Sequence, residues 1–96
     1  MTIQDFFSKE CEKLFLIHKA NLIEKTSFNE KRHNINPEDY PKFKREFKSF
    51  QRQLSINLTK IIKKNRNSNV EEILEPIANK YAKSFLNLVD LSKIEH

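Results

Sequence analysis

Lysine and arginine residues recur along the segment from 40 to 66, and their spacing is the feature of this chain best suited to binding chemistry. The segment holds nine basic residues and one acid, Glu46, which gives it a net charge of +8. The rest of the chain holds nine basic residues and twelve acids, a net charge of −3, so that the whole protein carries +5. Positive charge collected in one segment predicts an anionic partner, because cations that follow a polyanion release its counterions.

The same segment has the apolar period of an amphipathic α-helix. Its apolar residues recur every three or four positions, which places them on one stripe: Tyr40, Phe43, Phe47, Phe50, Leu54, Leu58 and Ile61. At about 100° per residue, the cations fall on or beside the opposite face. We call the residues of that face the basic ridge. It consists of seven cations and one apolar residue: Lys42, Arg45, Lys48, Arg52, Ile56, Lys60, Lys63 and Arg66. A rise of ~1.5 Å per residue spreads the ridge from Arg45 to Arg66 over roughly 30 Å.

Three interpretations of the basic ridge are open. The ridge could follow a nucleic acid backbone, or it could dock on an acidic protein surface and orient the encounter. It could also be a solvated helix face whose cations partly pair with acids, of which the nearest candidates are Glu46, Glu71, Glu72 and Glu75. Ile56 lies among the cations and would be an exposed apolar anchor, which favours a contact surface.

The aromatic residues of this helix suggest base stacking less well than core packing. Phe43, Phe47 and Phe50 share the apolar stripe, on the side away from the cations. A platform for single-stranded nucleic acid needs aromatic and basic residues on the same surface. We therefore predict that the three rings lie in the core.

The nucleophilic and metal-ligating side chains do not form a recognisable catalytic set. Cys11 and His18 are seven residues apart and could share a helix face, but two ligands fall short of the three or four that zinc requires. His33 lies in a loop segment and His96 is the last residue. Without an orienting third group or oxyanion donors, a Cys–His pair is weak support for an active site. We expect a non-enzymatic protein with no catalytic residue, metal or cofactor.

Composition predicts one all-α domain of 96 residues, built as a three-helix antiparallel bundle. Glycine is absent, and the tight turns and hairpins that depend on it are correspondingly disfavoured. A single cysteine, Cys11, fits a reducing cytosol. The longest apolar run, residues 14–17, is far too short to span a bilayer, so we expect a soluble, cytoplasmic protein without membrane contact.

Helix 1 is predicted over about 2–25, with Thr2 as its N-cap and Asp5 three residues later. Its apolar face is wide, as expected for a helix that touches two neighbours, and part of that surface is a candidate homodimer interface. Residues 26–39 form the predicted loop, in which Phe28 and Ile35 should pack against the bundle.

Helix 2 is predicted over about 41–65. A short turn at 37–40 precedes it, with Asn36 as its cap and Pro37 at its first position. Asn57 falls on its inner stripe, where it could set helix register or lie at a solvated rim. Helix 3 is predicted over about 69–91, opened by a capping box of Ser68 and Glu71. Pro76 predicts a kink or a break near 76, which would make four helices.

Two classes of function follow from these patterns. The first is a small binding protein whose basic ridge contacts a polyanion, most simply nucleic acid. The second is a protein–protein interaction module such as an inhibitor, an immunity factor or a phage- or plasmid-borne antagonist that masks an acidic protein surface.

Overall fold

The computed structural model describes residues 2–65 and 69–90. It has an α-helix α1 at Ile3–Lys25, a short 3₁₀ turn at Pro37–Asp39, an α-helix α2 at Tyr40–Lys64 and an α-helix α3 at Val70–Leu86. All three α-helices pack against one another, and no strand occurs in the described ranges. The predicted all-α three-helix bundle is confirmed.

The helices run in alternating directions along the chain. His18 of α1 meets Glu46 of α2, while Ile3 near the start of α1 lies beside Ile61 near the end of α2. Phe43 at the start of α2 stacks with Phe85 at the end of α3. The helix α2 is therefore antiparallel to both of its neighbours.

The ends of α1 follow the local rules read from the sequence. The hydroxyl oxygen of Thr2 accepts a hydrogen bond from the Asp5 backbone N–H at 3.1 Å, so Thr2 is the predicted N-cap. At the other end, the Thr26 N–H donates to the carbonyl oxygen of Leu22 at 3.1 Å. These contacts satisfy backbone groups that a helix end would otherwise leave without a partner.

The core is centred on Phe85, whose side chain is fully buried. Its ring lies 5.1 Å from Phe50, 5.9 Å from Phe43 and 6.0 Å from Phe47, measured between centroids. Phe15 of α1 approaches it edge-on at 6.1 Å. One residue of α3 thus contacts both other helices, and the predicted packing of the α2 rings in the core is confirmed.

The loop of residues 26–39 folds back on itself and closes one end of the bundle. Phe28 and Ile35 are both buried, as predicted. The carboxylate of Asp39 accepts a hydrogen bond from the Ser27 N–H at 2.8 Å, and this bond holds the pKa of Asp39 below its usual value. The Ser27 hydroxyl in turn accepts from the Asn36 N–H at 2.8 Å. These contacts set the point at which α2 begins.

The tip of this loop forms a tight turn in spite of the missing glycines. His33 adopts a positive φ of 51°, a conformation that histidine tolerates better than most residues. The turn places the His33 carbonyl oxygen 2.7 Å from the Asp90 N–H, and the His33 ring nitrogen Nδ1 lies 3.2 Å from the Leu88 carbonyl oxygen. The loop therefore joins the segment that follows α3.

The predicted end of helix 3 near 91 is wrong. The helix ends at Leu86, and residues 87–89 form a turn; Leu91 itself lies outside the described residues. Leu88 and Val89 are nonetheless buried. Their spacing correctly indicates that they are buried, but they lie in a turn and not in a helix. The contacts of residues 88 and 90 with His33 hold the chain in this turn.

Of the kink or break predicted at Pro76, the break does not occur, because α3 is one helix from Val70 to Leu86 with the proline inside it. Proline removes one backbone donor, which leaves the carbonyl of Glu72 without its helical partner. Pro76 and Glu72 are both exposed, so water can solvate that carbonyl. The predicted capping residue Ser68 lies outside the described residues, and the residue before the helix is Asn69.

Candidate functional site

The basic ridge lies on the solvent side of α2, opposite the buried stripe. Its members from 42 to 63 all belong to this one helix, so their relative positions are set by helical geometry. Each of them is exposed: Lys42, Arg45, Lys48, Arg52, Ile56, Lys60 and Lys63. Arg66, the last predicted member, lies outside the described residues.

Most of the ridge cations have no acidic partner in the described part of the chain. The exception is Lys42, whose Nζ lies 3.5 Å from a carboxylate oxygen of Asp39. The other cations form no ion pair with a described residue, and this group comprises Arg45, Lys48, Arg52, Lys60 and Lys63. Their charges are therefore available to an external anion, subject to screening by salt.

Glu46 does not neutralise the ridge, because it turns towards α1. Its carboxylate is bonded to Nδ1 of His18, and both side chains are largely shielded from solvent. The only acid of α2 is thereby held at the α1–α2 contact rather than among the cations. Sequence reasoning identified Glu46 as the one acid of this helix, but it missed the partner, since His18 is 28 residues away.

Ile56 is the apolar member of the ridge, and 39 % of its surface is exposed. It lies one helical turn from both Arg52 and Lys60. An apolar side chain between cations can be buried by a partner that the cations attract. This is the place predicted for it from the sequence.

The ridge continues onto α1 through a residue that sequence reasoning missed. A cleft of about 380 Å³ separates the end of α1 from the start of α2, and Lys25, Lys42 and Arg45 all line it. Asn21 contributes an amide and Glu46 a carboxylate to the same lining. Lys25 belongs to the last turn of α1, and nothing local in the sequence shows which part of α2 lies beside it.

A second cleft, of about 410 Å³, lies at the opposite end of the α1–α2 pair. Ile3, Phe6 and Ile61 make its apolar wall, with Lys60 among its lining residues. Asn57 also lines it and is half-buried, which matches the rim position that the sequence left open.

Cys11 and His18, the pair considered for chemistry, are shielded from solvent. Cys11 is completely buried, and burial raises the pKa of its thiol to about 12, so the reactive thiolate is suppressed. His18 is also buried on the inner face of α1, seven residues from Cys11, and is bonded to Glu46. Within residues 2–65 and 69–90, no group of three or more histidine, cysteine or acidic residues could hold a metal ion.

None of the described helices is both long and apolar enough to cross a lipid bilayer.

Comparison of this chain with models of protein families, with curated protein sequences and with solved structures finds no match.

Proposed function

We propose that this protein is a non-enzymatic nucleic acid-binding protein that contacts the phosphate backbone through its basic ridge. One observation carries the proposal: five exposed cations on one helix face have no acidic partner among the described residues. From Arg45 to Lys63 the ridge extends about 27 Å at the rise of an α-helix, which matches roughly eight base pairs of duplex. Such a function would operate in the cytoplasm, in keeping with the lone cysteine.

The cleft that contains Lys25 supports the same function. Lys25 and Arg45 line this cleft without an ion pair to a described residue, and together they can hold one phosphate group more closely than a flat helix face can. The other charged lining residues are already engaged, Lys42 with Asp39 and Glu46 with His18. Contacts of this kind carry no base sequence information, so the expected binding is independent of sequence and steeply dependent on salt.

The test is the affinity for a fluorescein-labelled DNA duplex of about 20 base pairs, measured by anisotropy as the salt concentration rises. If the ridge neutralises four or five phosphates, the logarithm of the affinity should fall with that of salt with a slope of about −4. The triple variant Arg45→Glu, Arg52→Glu and Lys63→Glu should lose the binding while its circular dichroism stays helical.

The matched control is a triple reversal that changes the net charge equally but away from the ridge. Lys31, Lys80 and Lys83 are exposed on the loop and on α3, and their change to glutamate should weaken binding only a few-fold. Equal losses in the two triple variants would show that overall charge, not the ridge, attracts DNA, and would contradict the proposal.

Ile56 favours a second candidate, an interaction module that masks an acidic protein surface. Backbone phosphates offer no apolar surface for Ile56 to contact, whereas a protein does. For this function, Ile56→Ser should weaken a nuclease-resistant complex recovered from cell lysate on the order of tenfold. The same variant should leave the affinity for the DNA duplex unchanged.

A further inference from the structure

The outer side of α1 exposes large apolar side chains that the bundle does not use. Leu16, Ile17 and Ile23 are 49 %, 55 % and 44 % exposed, and Ala20 between them is also exposed. At about 100° per residue, these four positions fall on one continuous strip that faces away from the core. We call it the α1 strip.

The residues of the α1 strip do not belong to the buried core of the bundle. The inner face of α1 already fills the core with Phe7, Cys11, His18 and Leu22. Isolated apolar residues on a surface are ordinary, but four neighbouring positions over two helical turns form a patch of the kind that marks a protein contact. The width of the apolar face of α1 is thus only partly explained by its two neighbours in the bundle.

Charged residues at the two ends of the strip are of opposite sign. Lys13 lies one turn before Ile17, and Glu24 lies one turn after Ala20, on the same side of the helix. Both are exposed, and neither forms an ion pair with a described residue. The strip therefore runs from a cation through apolar residues to an anion.

This order is self-complementary under a two-fold axis. With the axis midway between residues 18 and 19, an antiparallel second α1 brings position 13 level with position 24 and position 17 level with position 20. Lys13 and Glu24 each lie about 8 Å along the helix from the axis, and Ile17 and Ala20 each about 2 Å. Lys13 of each helix then faces Glu24 of the other, and Ile17 faces the small residue Ala20, so the helices can approach closely near the axis.

We infer that the protein forms a homodimer in which two copies of α1 pair antiparallel through the α1 strip, with Lys13 of each copy beside Glu24 of the other. An isologous contact of this type closes on itself and leaves no strip exposed. Because the ridge lies on α2, both ridges stay accessible in the dimer. The inference stands on α1 alone and does not depend on what the ridge binds.

The first test is the mass in sedimentation equilibrium, over protein concentrations up to about 1 mM. The wild-type chain should pass from monomer to dimer, and Ile17→Lys should raise the dissociation constant at least about 100-fold, because it places two charges in the apolar centre. Ile73→Lys is the matched control, since Ile73 is an exposed isoleucine on α3. A wild-type chain that remains a monomer at every concentration would overturn the inference.

The second test is a charge swap, which separates this contact from any other use of the strip. Lys13→Glu and Glu24→Lys should each weaken the dimer on the order of tenfold, because each places like charges together at two symmetric positions. The double variant Lys13→Glu with Glu24→Lys restores opposite charges and should recover most of the wild-type affinity. If the double variant is as weak as the single ones, the antiparallel pairing is wrong.

Discussion

Cys11 and His18 lie on the same inner face of α1, yet their surroundings give them opposite chemical characters. Cys11 is enclosed by apolar groups and keeps its proton, since a thiolate there would be desolvated. His18 has a carboxylate, that of Glu46, within bonding distance. The pair that could have suggested a metal or nucleophile site is therefore divided between two structural roles.

The thiol of Cys11 should be almost inert in the native protein. Its pKa of about 12 exceeds the ordinary value of 9.0, so the thiolate fraction at pH 8 falls about a thousandfold in addition to the steric protection. The rate of labelling by a disulfide reagent in native buffer should keep rising up to pH 11. A rapid rate that levels off near pH 9 would show an exposed thiol and would contradict the burial.

The raised pKa of Cys11 also makes the free energy of unfolding depend on pH. Between pH 9 and pH 12 the unfolded thiol loses its proton while the buried thiol keeps it, so the unfolded state binds fewer protons. The contribution of Cys11 is therefore complete below pH 9 and is lost as the pH rises towards 12.

At the scale of the elements, local pattern and tertiary contact compete at the C-terminal end of α3. The spacing of Leu88 and Val89 continues the helical stripe, and the sequence therefore predicted a longer helix. Two contacts to His33, from the loop before α2, hold this segment in a turn instead. Such contacts join positions more than fifty residues apart and leave no local trace in the sequence.

Pro76 gives a test of how α3 tolerates an internal proline. Pro76→Ala supplies the missing backbone donor on an exposed face and a better helix former, so it should stabilise the protein by about 1–3 kcal/mol. The measurement is the midpoint of urea unfolding, followed by circular dichroism. Ala78→Pro, at a buried position of the same helix, should by comparison unfold it.

If Pro76→Ala lowered the stability, the helix at this point would have to depend on the shape that proline imposes. The packing of α3 would then require the local distortion that proline causes. The explanation that water solvates the Glu72 carbonyl would be wrong.

At the scale of the whole molecule, the three helices meet at Phe85. Its ring contacts three phenylalanines of α2 and one of α1, so a single side chain carries much of the contact between elements. A chain of this length has few such residues, and its net stability is a small difference between large terms.

Phe85→Ala should therefore cost about 3–5 kcal/mol of unfolding free energy, enough to leave a marginal domain largely unfolded. Phe6→Ala is the matched control, because the Phe6 side chain is 47 % exposed and should cost less than about 1.5 kcal/mol. Urea unfolding of both variants provides the comparison. Similar losses would mean that Phe85 is not the centre of the core.

Much of this structure was accessible from local sequence pattern. The stripe from Tyr40 to Ile61, the cap at Thr2 and the burial of Phe28 and Ile35 were all predicted, because helix period and capping depend on residues only a few positions apart. The exposure of the basic ridge follows from the same period. A residue opposite a buried stripe on one helix has solvent beside it.

The chain by itself thus determined that it forms helices, which side of α2 faces inwards and where its positive charge is concentrated. Only the tertiary structure decided that Glu46 turns to His18, that Lys25 extends the ridge and that the α1 strip is left uncovered. The physical reason is the sequence separation of the interacting residues. Residues three and four positions apart determine which side chains share a helix face, whereas the helices that bury this face are distant in the sequence. Two neighbours can cover only part of the circumference of α1, and its sequence does not say which part.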